Sequence, residues 1–247
     1  MTDPIADPSA HGTATGRSVL VTGGSRGIGL ATARALSAQG HRVAVTFRSA
    51  APEGLLAVRC DVTSSEDVDR AFTEIEDTHG PVEVLVSNAG ITDDGLLLRM
   101  SEASFAGVVD ANLTGAYRVA KRASRSMLKA RWGRMIFVSS VVGLSGAAGQ
   151  VNYAASKSGL VGLSRSIARE LGSRGITSNV VAPGYVITDM TAELPAARHE
   201  ELLRSVPLGR AASSNEIASA IVFLASDAAA YVTGAILPVD GGLGMGH

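Results

Sequence analysis

Cysteine occurs once in these 247 residues, at Cys60. No intrachain disulfide is possible, which agrees with a reducing compartment. Cys60 ends an apolar run, a position that suits buried packing better than catalysis. The five histidines and the lone cysteine form no cluster with metal-ligand spacing, so no metal centre is expected. Charge of one sign is also lacking: a formal charge of −1 argues against general nucleic-acid binding. Polar residues interrupt every apolar stretch well short of a bilayer span, and no signal-peptide pattern is visible. The expectation is a cytoplasmic protein without membrane insertion.

What is present is apolar content of 46%, enough for one large core and one domain over residues 17–247. Met1 to Gly16 are rich in small and polar residues without a hydrophobic period and read as a mobile tail. Beyond it, short β-prone runs alternate with helical periodicity. Val19 to Val21, Arg42 to Phe47, Leu55 to Asp61, Val82 to Ser87, Arg134 to Val138, Ile176 to Pro183 and Ala235 to Val239 make seven strands. The connections are long enough for right-handed helical crossovers, which predicts an α/β, doubly wound, parallel sheet. In such folds ligands gather beyond the carboxyl ends of the strands, where Gly23, Asp61, Asn88, Ser140 and Pro183 fall.

The run Val19-Leu-Val-Thr-Gly-Gly-Ser-Arg-Gly-Ile-Gly29 reads as strand, tight turn and helix start. Gly23, Gly27 and Gly29 let the backbone turn and approach a ligand, and the helix N-terminus attracts a pyrophosphate. The pattern predicts a dinucleotide site. Such sites for NAD place a carboxylate about 20 residues further on, against the ribose 2′-hydroxyl. Here that carboxylate is missing, because the second strand ends Val45-Thr-Phe-Arg48. Arg48 and Arg26 are suited to a 2′-phosphate, which predicts NADPH; two solvated arginines are the plainer reading. Asp61 and Val62 suit the adenine, although Asp61 could instead cap the next turn.

Lysine is scarce, with three in the chain, yet Lys157 stands four residues after Tyr153, one of four tyrosines. One helical turn apart, the two can share a proton-transfer site, with Lys157 favouring the ionised phenol. The alternative is a pair on a solvated helix face. Between Arg118 and Arg134 there is no acidic residue, while Arg118, Lys121, Arg122, Arg125, Lys129, Arg131 and Arg134 are all basic. Spacings of three and four put Arg118, Arg122, Arg125 and Lys129 on one helical face, a stripe suited to an acidic partner or to the helix dipole alone. Residues 185–210 carry Pro195 and Pro207 without a clear strand and read as a substrate lid or as a surface insertion.

Thr22-Gly-Gly-Ser-Arg-Gly-Ile-Gly29, Asn88-Ala-Gly90, Asn112, Ser140, Tyr153-Ala-Ala-Ser-Lys157 and Pro183-Gly184 resemble the short-chain dehydrogenase/reductase superfamily, in its order and spacing. The resemblance covers nearly everything after residue 17 and implies a Rossmann-type fold. Within it, Asn152 to Lys157, Asn179 to Thr191 and Pro238 to Gly242 look like the 3-oxoacyl-[acyl-carrier-protein] reductases of type II fatty-acid synthesis. Arg17 to Gly24, Gly80 to Gly90 and the ending Asp240 to His247 resemble their mycobacterial form, which serves mycolic-acid precursor elongation.

That resemblance implies reduction of a 3-oxoacyl thioester, long-chain by its mycobacterial kin. Tyr153 would supply the proton, Ser140 (rather than Ser139) would bond the carbonyl, Lys157 would tune Tyr153 and hold ribose hydroxyls, and Asn112 would anchor a water chain. It assigns Ser25, Ile28, Asn88, Ala89, Gly90, Pro183, Gly184, Val186, Ile187 and Thr188 to the cofactor. Arg131 and Arg174 match positions used to contact acyl-carrier protein. A homotetramer is implied, built through the Tyr153 helix with its Ala154, Ala155, Gly159 and Gly162. The rival readings keep the chemistry with another ketone, such as acetoacetyl-CoA, a polyketide or a steroid, or keep only the fold, as an NADPH-binding sensor.

Overall fold

A computed structural model describes residues 16–188 and 196–245. Seven parallel strands form one sheet in the order β3-β2-β1-β4-β5-β6-β7. They are β1 (Ser18–Val21), β2 (Arg42–Phe47), β3 (Leu56–Arg59), β4 (Val84–Ser87), β5 (Gly133–Val138), β6 (Ile176–Pro183) and β7 (Ile236–Val239). The α/β, doubly wound, seven-stranded architecture expected from the sequence is borne out. From β1 the chain winds outward through β2 to β3, then returns to place β4 on the other side of β1, with Val21 beside Val86. That reversal opens a crevice beyond the carboxyl ends of β1 and β4.

Both faces of the central strands are covered, so they read as continuous apolar runs rather than alternating ones. Leu20, Leu85, Met135 and Phe137 point to the face covered by α2 (Ser65–His79), α4 (Gly115–Ala130) and α6 (Val151–Leu171). Val19, Val21, Val84, Val86 and Ile136 point to the other, under α1 (Gly27–Ala38) and a helix at Ser214–Ala225. The local sequence accounts for α2: Ser64 accepts from the Asp67 amide at 3.1 Å, and Glu66 and Asp67 occupy the first turn. Val68, Ala71, Phe72 and Ile75 form its buried stripe.

Three shorter elements sit around the crevice: α3 (Glu102–Val109), a π-helical turn at Asp110–Thr114 that leads into α4, and α5 (Val142–Ser145). Of the segment expected as a lid, residues 189–195 lie outside the described residues. Its later part forms α7 (Ala196–Ser205), and the helix at Ser214–Ala225 is α8. Val186 makes an isolated parallel bridge to Ala212, which ties the start of the segment to its end. The tail expected over residues 1–16 lies outside the described residues except for Gly16. Among the described residues, no helix is long and apolar enough to cross a membrane, and no group of three His, Cys, Asp or Glu is placed to hold a metal ion.

Candidate active site

The crevice is a cleft of about 980 Å³. Its floor begins with the glycine turn after β1. Gly23 has φ +62°, and a Cβ there would lie 2.9 Å from the Ala89 Cα; one on Gly29 would lie 2.5 Å from the Gly23 carbonyl. Only glycine admits this approach of turn, helix and β4 loop. Asn88 locks the arrangement, donating to the Thr22 and Gly23 carbonyls at 3.1 and 3.0 Å. The Thr22 hydroxyl in return accepts from the Asn88 and Ala89 amides. α1 opens on this turn with no acidic residue in its first turn and no side-chain cap from Arg26, so its dipole favours an anion.

Gly23, Ser25, Arg26, Ile28, Arg48, Asp61, Val62, Asn88, Ala89, Gly90, Pro183, Gly184, Val186 and Thr188 line the cleft. Gly27 and Gly29 shape the turn beneath it. Ile187 departs from the expected set: it is 60% exposed, and its amide donates to the Ala212 carbonyl. At the end of β2 the cleft meets Arg48 and Ser49, with no carboxylate on that strand end. Asp61 lines the cleft and also caps the next turn, its Oδ1 accepting from the Thr63 amide at 2.9 Å and hydroxyl at 2.8 Å. The Thr63 amide bond, ahead of the Arg48 charge, holds the Asp61 carboxyl below the usual range.

Tyr153 and Lys157 project from the first turns of α6 into the same cleft, opposite Ser140 at the end of β5. The two serines separate cleanly. Ser139 is buried and donates to the Lys157 carbonyl at 2.8 Å, a tie between β5 and α6, whereas half-buried Ser140 lies beside the Tyr153 phenol. Burial pushes the phenol up to about 12, opposed by the Ser140 hydroxyl and reinforced by the Asp94 carboxylate. This corrects the expectation that Lys157 lowers the tyrosine: desolvation dominates, and the phenol holds its proton. Desolvation also brings the Lys157 ammonium down to about 8. Its Nζ donates to the Val138 carbonyl at 2.7 Å.

Asn112 sits in the π turn, 1% exposed and off the cleft. Its Oδ1 accepts from the Ile91 amide at 2.8 Å, and its Nδ2 donates to the Ile91 carbonyl and the Ser156 hydroxyl, both at 3.0 Å. The side chain therefore clamps the β4 loop to α6 and is already committed. A Cβ on Gly90 would lie 3.1 Å from Asn112 Oδ1 and 3.5 Å from Lys157 Nζ, so glycine keeps these two groups close.

The sequence reading missed a zipper beside the tyrosine. Gln150 donates to Asp94 at 2.8 Å, Asn152 to the Asp93 carbonyl at 2.8 Å, and the Gly95 amide to the Gly149 carbonyl at 2.8 Å. It joins the loop at 93–95 to the start of α6 and the residues just before it, segments with no shared period, so no sequence signal marks it. Tyr185 was missed as well: it is buried on the cleft wall, its ring edge-on to His199 of α7 with a hydrogen bond between them.

The basic stripe is shorter than the sequence predicts. Arg118 pairs with Asp110 at 2.9 Å, and Arg122 pairs with Glu76 at 2.6 Å and Asp69 at 3.3 Å. Arg134 is buried against Trp132 with Asp227 at 3.5 Å. Of the face, Arg125 and Lys129 remain exposed. Arg131 and Arg174 are exposed neighbours, joined by a 3.4 Å bond from Arg131 to the Ser173 carbonyl. They precede β5 and β6 and so stand at the amino rim of the sheet, opposite the cleft.

A family model described as "Enoyl-(Acyl carrier protein) reductase" matches residues 23–244. The 3-oxoacyl-[acyl-carrier-protein] reductase MabA of Mycobacterium tuberculosis is 58% identical over 94% of each chain. The reductases FabG of Pseudomonas aeruginosa and Escherichia coli are 49% and 45% identical, over 93% of this chain and 98% of theirs. The chain belongs to the short-chain dehydrogenase/reductase superfamily of nicotinamide-dependent oxidoreductases. These relatives carry the reductase name that the sequence resemblance expects.

Proposed function

We propose that this chain reduces 3-oxoacyl-[acyl-carrier-protein] to the 3-hydroxyacyl thioester with NADPH during fatty-acid elongation, acting in the cytoplasm and favouring long acyl chains. The observation that carries the reading is the placement of Tyr153 and Ser140 on the cleft that the glycine turn of β1 also enters. The donor set fits a phosphorylated dinucleotide: a helix N-terminus without a side-chain cap for pyrophosphate, Arg48 where an NAD site has a carboxylate, and Arg26 in the glycine turn.

Held by the α1 N-terminus with Arg26 and Arg48, the cofactor would supply hydride for C3 of the oxoacyl group. Ser140 donates a hydrogen bond to the ketone oxygen and strengthens it as negative charge develops there. Tyr153, protonated at neutral pH, passes its proton to that oxygen. Lys157 lies with its Nζ 5.6 Å from the Tyr153 ring centroid, close enough to stabilise the phenolate left behind and to bond ribose hydroxyls. With the Asn112 amide committed to Ile91 and Ser156, any water chain takes its anchor from the main chain of the π turn.

Acyl-carrier protein is the proposed partner, held through Arg131 and Arg174. Those residues sit a full β6 strand, about 26 Å at 3.3 Å per residue, from their own cleft. A tetramer reconciles the two, with one copy's arginines serving another copy's cleft. The α6 surface suits such an assembly: Ala155 and Gly162 are exposed, whereas Gly159 is filled internally, its Cβ position 2.6 Å from Leu113.

The test is nicotinamide absorbance with NADPH or NADH, 3-oxoacyl thioesters of graded length, and enoyl thioesters. NADPH-dependent loss on the 3-oxoacyl series, absent from the Tyr153→Phe variant, is the expected result. Turnover of the enoyl thioester alone, or NADPH binding without turnover, would overturn it.

A further inference from the structure

Beside the Arg48 end of the cleft lies a second cavity of about 230 Å³, lined by Arg48, Arg59, Cys60, Asp61, Asp67 and Arg70. Arg48, Cys60 and Asp61 line both cavities, so the two adjoin at Arg48, where a 2′-phosphate would stand. Three guanidinium groups and two carboxylates share this space. The carboxylates are unequal. Asp61 gives one oxygen to Thr63 and has Arg48 as its cationic neighbour, whereas Asp67, on the first turn of α2, lines the same small cavity with Arg70 and Arg59 as its cationic neighbours.

A carboxylate there works against a phosphate unless it is neutralised. Arg70, one turn further along α2, does so: its Nη2 lies 2.9 Å from Asp67 Oδ1 and 2.7 Å from the Arg59 carbonyl at the end of β3. The other Asp67 oxygen accepts the Asp61 amide at 3.0 Å, which holds the carboxylate in place. We propose that Arg70 is a specificity-determining residue for the phosphorylated cofactor, acting by cancelling the Asp67 charge in the small cavity that Arg48 also lines. The inference rests on the NADPH reading. It adds a second tier to the selectivity: Arg48 attracts the phosphate, and Arg70 removes the repulsion behind it.

Asp67 and Arg70 are 37% and 50% exposed, so water screens their charges and the effect is modest, about two- to fivefold in affinity. The experiment is calorimetric titration of the full chain with 2′,5′-ADP and with 5′-AMP, probes that differ in the 2′-phosphate and need no turnover. Arg70→Gln is expected to weaken 2′,5′-ADP about two- to fivefold, leave 5′-AMP unchanged, and show a smaller loss at high salt. Asp67→Asn in the same chain keeps an acceptor for the Asp61 amide and removes the charge, so the double variant is expected to regain the preference. Arg70→Gln with an unchanged preference, or with equal weakening of both probes, overturns the inference. A wild-type chain that does not distinguish the probes instead brings down the NADPH reading itself, and this inference with it.

Discussion

Lys157 Nζ donates to the Val138 carbonyl at 2.7 Å, which ties α6 to the end of β5 directly below the tyrosine. The bond partly compensates an ammonium that is 5% exposed and has no ion pair among the described residues. Buried cations are costly, and that cost appears as the fall of Lys157 to about 8.

Unfolded, the lysine holds its proton up to about pH 10.4; folded, it releases it near 8. Between those values the unfolded chain binds more protons, so this group lets stability rise with pH through that window. Lys157→Met is therefore expected to stabilise the fold below pH 8 by up to ~3 kcal/mol, a gain that fades toward pH 10.4. The same variant loses turnover. Urea unfolding across pH checks the first outcome, and no change in the pH slope contradicts it.

Asn112→Ala removes three hydrogen bonds and leaves the Ile91 amide and carbonyl without their partner. The expected loss is ~2–4 kcal/mol of stability, with kcat falling more than the cofactor KM because α6 is unclamped. Denaturant midpoints with steady-state kinetics test this. A fully stable variant with low kcat would assign Asn112 to chemistry instead.

Gly29→Ala puts a methyl 2.5 Å from the Gly23 carbonyl and 2.6 Å from Asn88 Nδ2. The turn must open, at ~1–3 kcal/mol, and dinucleotide binding is expected to weaken at least tenfold while the thermal transition moves only a few degrees. Calorimetric titration with NADPH reads the affinity.

Charge reversal of Arg131 and Arg174 is expected to raise KM about tenfold for carrier-linked substrate and to spare a small thioester analogue. The carrier-linked loss should diminish in salt. Equal losses on both substrates would sink the docking role, and sedimentation as a monomer would sink the tetramer that brings those residues to a cleft.

Most strands were legible because each is a short apolar run that breaks at a small residue. Val19 to Val21 ending in Thr22-Gly23 is the clearest, and β6 ending in Pro183-Gly184 obeys the same rule. Parallel order then sends every such ending to one rim, which is why Gly23, Asn88, Ser140 and Pro183 meet on one cleft. The Asp94–Gln150 zipper was illegible because its partners lie 56 positions apart, on loops without periodicity. The basic stripe misled for a related reason: spacing shows which residues share a helical face, but not which carboxylates face them. Glu76 and Asp69 come from α2, packed alongside, and they neutralise Arg122.

By itself the sequence determined the period of each element, the glycines that only a close backbone approach requires, and the order in which chemistry-bearing residues reach the carboxyl rim. These depend on neighbours within a few positions. Only the tertiary structure decided how each group is spent: Asn112 on Ile91 and Ser156, Arg122 on Glu76, Lys157 on the Val138 carbonyl. It also decided that burial raises the tyrosine. Solvation and pairing depend on what stands across the space from a side chain, and distant segments of the chain supply it.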